Sequence, residues 1–276
     1  MVKLLKKAFF GAYMVDNWVN PLDDADQKEW SKIYFDSASN GKICALYTKA
    51  PEDQQKGTIV IGHPMLKTAK GYFLKSEYPK LLKENGFNVF LFDLNGFGDS
   101  SNAGFKFYED VFAAGAKAKE LFPEGPVGYH GVSLSALWAP PAFVNRYHDF
   151  NFAVLESSYT AVSDHYRKRP LLNMMFKSLA IFRPGLYSKM KAHEQLKQVK
   201  NLQSILFIYS KKDTVTPLEM GERLRNSCKI ITDMLVLENV DHVEVLQSEE
   251  KEVYLDKLLQ YFNAQQLHYF RRRNKY

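Results

Sequence analysis

Cysteine is scarce: Cys44 and Cys228 are the only two in 276 residues. Two thiols so far apart exclude a disulfide framework, and no CxxC or CxxH spacing offers a zinc site. Long apolar runs are missing as well. No stretch approaches the roughly 20 residues that a spanning helix needs. Glycine at 15 and proline at 11 are ordinary counts. There is no internal repeat and no linker-like stretch. These absences exclude disordered, collagen-like and low-complexity classes. What is present is 46% hydrophobic content with 14% aromatics, enough for one good core and one domain over 1–276.

The formal net charge is +6, from 37 basic and 31 acidic residues. Lys3, Lys6, Lys7, Arg271, Arg272, Arg273 and Lys275 supply the excess; without these seven the balance is 30 against 31. A neutral body has no broad basic face, so no nucleic-acid partner is expected. Residues 1–30 read as an amphipathic helix with a lead-in. Plotted at 100° per residue, Lys3, Lys6 and Lys7 share one arc of 2–18, and Leu4, Leu5, Phe9 and Tyr13 the other. That pattern fits a helix packed on the domain, and also a peripheral contact with an anionic membrane. No small-x-small cleavage site follows the apolar stretch, so the segment is read as retained, with a cytoplasmic location expected.

Strand-like runs at 31–36 and 42–48 flank Ser39-Asn40-Gly41, a hairpin signal because Asn and Gly tolerate positive φ. Buried-looking strands then alternate with helical patterns. The strands are Thr58–Gly62, Phe87–Phe92, Val127–His130, Phe152–Leu155, Ser204–Tyr209 and Met234–Leu237. The helical patterns cover 70–84, 107–121, 134–147, 217–227 and 249–266. This predicts an α/β fold with a mostly parallel sheet, helices on both faces and an N-terminal antiparallel hairpin. Ligands of such sheets bind beyond the carboxyl ends of the strands.

Three strand ends carry candidate chemistry. Gly131-Val132-Ser133-Leu134-Ser135 lies between a strand and a helix, close to the G-x-S-x-G turn that exposes a serine hydroxyl. Small residues are needed two before and two after that serine; Ser135 stands where the second glycine would be. A serine needs a base to take its proton and an acid to orient that base. Asp213 follows the strand SILFIY, and His242 follows MLVLE. Glu156 is a reserve acid; Asp241 is too close to His242 to orient it. For an oxyanion, the N–H of Leu134 and that of Met65 are the candidate donors, since Pro64 has no N–H.

Together these features resemble the α/β-hydrolase fold superfamily, from the hairpin at 31 to the helix ending near 266. His63-Pro64-Met65 stands where the family has His-Gly-x. Asp93-Leu94-Asn95-Gly96-Phe97-Gly98-Asp99-Ser100 matches Asp-x-x-Gly-x-Gly-x-Ser; it lacks the third glycine and the helix of a dinucleotide site. Asp93 reads as a residue bracing that loop. Glu156-Ser157-Ser158-Tyr159-Thr160 is similar to the short-lidded, serine-aminopeptidase-like branch. The departures are Pro64, Ser135 and Pro140-Pro141, a pair that should kink or shorten its helix.

The resemblance implies a serine hydrolase of carboxylic esters or thioesters that works through an acyl-enzyme, without metal or organic cofactor. Ser133, His242 and Asp213 would form its triad. A serine peptidase and a catalytically silent binding protein are the rivals. The insert at 161–200, with Leu171, Leu172, Met174, Met175, Phe176, Leu179, Ile181 and Phe182, is expected to form a small helical lid. Its apolar side chains either roof an acyl chain or pack on the domain.

Overall fold

The computed structural model describes residues 6, 9–15, 17–167 and 170–273; the side chains of Leu172, Met175, Phe176 and Leu179 also fall outside the description. Eight strands form one sheet in the order β1-β2-β4-β3-β5-β6-β7-β8. They are β1 Ser31–Asp36, β2 Lys42–Thr48, β3 Gly57–Gly62, β4 Phe87–Phe92, β5 Val127–Val132, β6 Phe150–Glu156, β7 Ser204–Ser210 and β8 Ile231–Leu237. β1 pairs antiparallel with β2, and β2 antiparallel with β4. Every other pairing is parallel. The hairpin turns at Asn40, which takes φ 65° as an Asn-Gly turn requires.

β3, β4, β5 and β7 are buried along their whole length, as central strands covered on both faces must be. Alternate side chains therefore feed two cores. Val60, Phe90, Phe92, Tyr129 and Phe207 pack with the helices Phe107–Leu121 and Leu134–Phe143. Ile59, Ile61, Val89, Leu91 and Leu206 pack beneath the short helices Gly71–Leu74 and Tyr78–Glu84 and the long helix Lys251–Arg273.

Three helices depart from the sequence pattern. The run over 70–84 is broken into two at residues 75–77, because Pro79 enters the second helix at its first turn and has no N–H to continue the first. The helix after Ser133 stops at Phe143 instead of 147, so Pro140-Pro141 shorten it. The last helix runs on to Arg273, past the boundary near 266. The insert folds into helices Val162–His165, Pro170–Phe182, Pro184–Lys189 and Ala192–Leu196.

Lys6 does not stand on a solvated arc. It is fully buried, and its ammonium donates to the Asn95 carbonyl at 2.5 Å and to the Asn95 side-chain oxygen. Lys3, Lys7, Leu4 and Leu5 lie outside the described residues, as do Lys168, Arg169 and the last three residues. No helix among the described residues is long and apolar enough to cross a membrane.

Candidate active site

Ser133 sits between β5 and the Leu134–Phe143 helix with φ 51° and ψ −103°. An L-residue rarely adopts that conformation, and such strain is concentrated at functional turns. The chain around it is small for a reason. A Cβ on Gly131 would lie 2.9 Å from the Ala136 nitrogen, and one on Gly62 only 2.6 Å from the Ser135 Cβ. Ser135 replaces the expected glycine without strain and ties the turn. Its Oγ donates to the Val132 carbonyl at 3.1 Å and accepts from the Val132 N–H at 2.9 Å. The Ser133 N–H donates to the Glu156 carbonyl at 2.9 Å, which pins the turn to β6.

The loops after β5, β7 and β8 bring Ser133, Asp213 and His242 together. Ser133 Oγ lies 3.0 Å from His242 Nε2, and His242 Nδ1 lies 2.8 Å from Asp213 Oδ2. An ionised carboxylate only accepts, so Nδ1 carries its proton and Nε2 is left to accept from the serine. Asp213 is 2% exposed. Burial raises its pKa, but the hydrogen bond and charge of His242, then the hydroxyl and N–H of Thr216, outweigh burial and hold the carboxyl below its usual range. Val215 and Thr216 N–H groups donate to Asp213 Oδ1 at 2.8 and 2.9 Å, and Thr216 Oγ1 to Oδ2 at 2.6 Å. Thr216 was not singled out in the sequence. The signal was there: an Asp followed by Thr three residues on, before a helix, is an Asx-type turn.

Tyr72 and Val243, by contrast, carry no signal in the sequence, and His63 gains a role beyond its place in the His63-Pro64-Met65 turn. Val243 takes φ 57°, unusual for a β-branched residue, and Tyr72 donates to its carbonyl at 2.9 Å. This fixes the loop that presents His242. On the other side of the site, His63 is fully buried and its pKa is lowered by that burial. Its Nε2 accepts from the Leu94 N–H at 3.1 Å, so Nδ1 bears the proton and donates to the Pro64 carbonyl at 2.7 Å. His63 thus holds the loop that carries Met65. Leu134 opens its helix, where an N–H has no acceptor within the helix. Met65 and Leu134 both line the same cavity as Ser133.

Glu156 is engaged elsewhere. Its carboxylate accepts from Tyr254 at 2.7 Å and faces His130 Nε2 at 3.2 Å, while His130 Nδ1 faces the Tyr78 hydroxyl at 2.8 Å. Asp241 is exposed and pairs with Lys212 at 2.7 Å. Asp93 is buried beneath the loop it brackets and binds the Lys70 ammonium at 2.5 Å and the Asp99 N–H at 3.0 Å. Cys44, Asp93 and Asp99 are close enough to hold a cation. However, Lys70 and Lys32 already neutralise the carboxylates, and burial pushes the Cys44 thiol up to about 11.

The cavity beside Ser133 has a volume of about 260 Å³. Its lining includes Leu137, Trp138 and Val162, with Phe10 and Tyr13 from the N-terminal segment. Among the described lining residues there is no Asp, Glu, Lys or Arg. The insert contributes Val162, His165 and Tyr166 to this lining. Leu171, Met174, Ile181 and Phe182 are 61 to 78% exposed and are not among the lining residues.

No protein-family model and no curated protein matches the chain. Solved structures do. An esterase from Pyrococcus furiosus superposes with a TM-score of 0.68 at 18% identity, over 90% of this chain and 96% of that one. An esterase from Exiguobacterium antarcticum gives 0.61 at 15% identity, over 84% and 100%. An acylaminoacyl peptidase from Pyrococcus horikoshii gives 0.62 at 15% identity, over 87% of this chain and 42% of that one. With the sheet order and the strand–serine–helix turn described above, these likenesses establish that the chain has the α/β-hydrolase fold.

Proposed function

We propose that the protein is a serine hydrolase that cleaves carboxylic esters or thioesters through an acyl-enzyme. The observation that carries this reading is the unbroken hydrogen-bond chain from Asp213 through His242 to Ser133 at an apolar cavity. Ser133 Oγ attacks the substrate carbonyl carbon as His242 Nε2 takes the hydroxyl proton. Asp213 holds the imidazole in the tautomer that can accept it and stabilises the cation that forms. The carbonyl oxygen becomes an oxyanion, for which the Leu134 and Met65 N–H groups are the donors. His242 then returns its proton to the departing alkoxide or thiolate. Water, activated by the same imidazole, releases the carboxylic acid and restores Ser133.

The uncharged lining of the cavity favours a neutral acyl part over a charged one, because an unpaired charge is costly to bury. The acylaminoacyl peptidase likeness keeps amide cleavage as the second reading, and an amide substrate tested beside matched esters separates the two.

A fluorophosphonate probe tests the nucleophile. Wild-type protein is expected to label, and Ser133→Ala to lose both labelling and turnover, on the order of 10⁴-fold or more in kcat. Labelling that persists in the variant would move the nucleophile elsewhere. An unlabelled, inactive but folded wild type would leave the silent binding protein as the better reading.

A further inference from the structure

We propose that Phe10 and Tyr13 form a fixed wall of the substrate cavity and that Phe10 sets the longest acyl chain accepted, making this enzyme selective for short, neutral acyl groups. The inference rests on the hydrolase reading for the identity of the ligand, but the wall itself is visible independently of it.

Phe10 and Tyr13 line the cavity that contains Ser133 and His242. Phe10 is only 4% exposed. On its far side it meets Phe107 edge-on at 5.6 Å and Phe97 edge-on at 6.1 Å. It therefore separates the cavity from further apolar core, and a smaller side chain there lengthens the cavity instead of opening it to water. The backbone turns at this point, with Tyr13 and Met14 N–H groups donating to the Phe10 carbonyl at 2.8 and 3.2 Å.

The segment is fastened on both sides of Phe10. Before it, the buried Lys6 ammonium binds Asn95 and lies 4.4 Å from the centre of the Phe107 ring. Asn95 is itself oriented by Asp110, which accepts from its N–H at 3.0 Å and from its side-chain amide at 2.5 Å. Asp110 is buried, so an acidic side chain within the same network offsets the buried lysine. After it, Trp18 donates to the Thr68 carbonyl at 2.7 Å, and the Lys70 ammonium lies 3.6 Å from its ring centre. A wall held by two buried cations is pre-organised, which is what discrimination between chain lengths requires. The cavity volume of about 260 Å³ falls below the usual span for drug-sized ligands, in keeping with a short acyl group.

The experiment compares octanoyl with butanoyl nitrophenyl esters in wild type, Phe10→Ala, Phe10→Leu and Phe10→Trp, with Ser133→Ala as the baseline. Phe10→Ala is expected to raise the octanoyl-to-butanoyl ratio of kcat/KM by about tenfold or more, Phe10→Leu by less, and Phe10→Trp to lower it. The leucine and tryptophan variants keep the test alive if the alanine variant fails to fold. The same three changes made in the Ser133→Ala background are read by calorimetric binding of the neutral amides octanamide and butanamide. A ratio that stays constant across all variants in both readouts overturns the proposal. Absent turnover with a shifted binding ratio would refute the hydrolase reading and leave the Phe10 wall standing.

Discussion

The acid of the candidate triad shows how much one side chain can be asked to do. Asp213 accepts four hydrogen bonds, and three of them come from Val215 and Thr216. Those three hold its orientation independently of His242. Asp213→Asn keeps the shape but presents an amide where Nδ1–H must donate, and so favours the wrong imidazole tautomer. Its kcat is expected to fall by about 10⁴-fold with the thermal midpoint nearly unchanged, whereas an unaltered kcat would pass the acid's role to another residue. Thr216→Val removes one acceptor-directed hydroxyl and leaves both backbone donors, so a much smaller loss is expected in the same assay. Legibility differed sharply at this scale. Ser133, Asp213 and His242 stood at strand ends in readable order. Tyr72 and His63 act through partners that are 171 and 31 residues away, and no local pattern announces such pairs.

Between residues and domain, loops decide where the site sits. The loop after β4 is organised around Asp93, which accepts from the N–H of Lys70 and of Asp99 as well as from the Lys70 ammonium. Gly98 takes φ 52°, and a Cβ there would fall 2.2 Å from the Asp93 carboxylate, so the glycine is required by that close approach. Asp93→Ala would leave the Lys70 ammonium buried without its main partner. A loss of about 3–5 kcal/mol is expected in urea unfolding, and a loss under 1 kcal/mol would show that Asp99 or water takes over the role. Strands were read closely from sequence because buried runs such as FNVFLF and SILFIY have few alternatives. Helix ends were read less well. Pro79 acts on hydrogen bonds a turn away, which periodicity does not register, whereas the shortening by Pro140-Pro141 is legible in the prolines themselves. In the insert the apolar residues leave two roles open, a roof and packing on the domain, and the described ones at 171, 174, 181 and 182 are exposed and do not line the cavity.

At the scale of the whole molecule, charge placement and burial govern the response to pH. The sequence placed the positive excess at the two ends, and Arg271, Arg272 and Arg273 are indeed exposed. Lys6 contradicts the simple picture, because a helical plot knows nothing of Asn95, 89 residues on. Among groups with shifted pKa values, His148 gives the clearest prediction. Burial lowers it from 6.5 to about 4, and among the described residues neither ring nitrogen has a hydrogen-bond partner. The folded-state value is depressed, so the contribution to stability is complete above pH 6.5 and is lost as pH falls toward 4, where only the unfolded chain gains the proton readily. His63 and Asp213 are depressed too and act in the same direction. Asp110, raised by burial, acts in the opposite direction within the carboxylate range. His148 packs edge-on to Phe143 at 5.9 Å and lies 6.2 Å from Phe150, so His148→Phe keeps an aromatic ring there and removes the titration. Urea unfolding at pH 7 and pH 4 should show the variant losing about 2 kcal/mol less than wild type, after allowance for the partly open ring. Equal losses in the two proteins would place the acid sensitivity in His63 and the carboxylates instead.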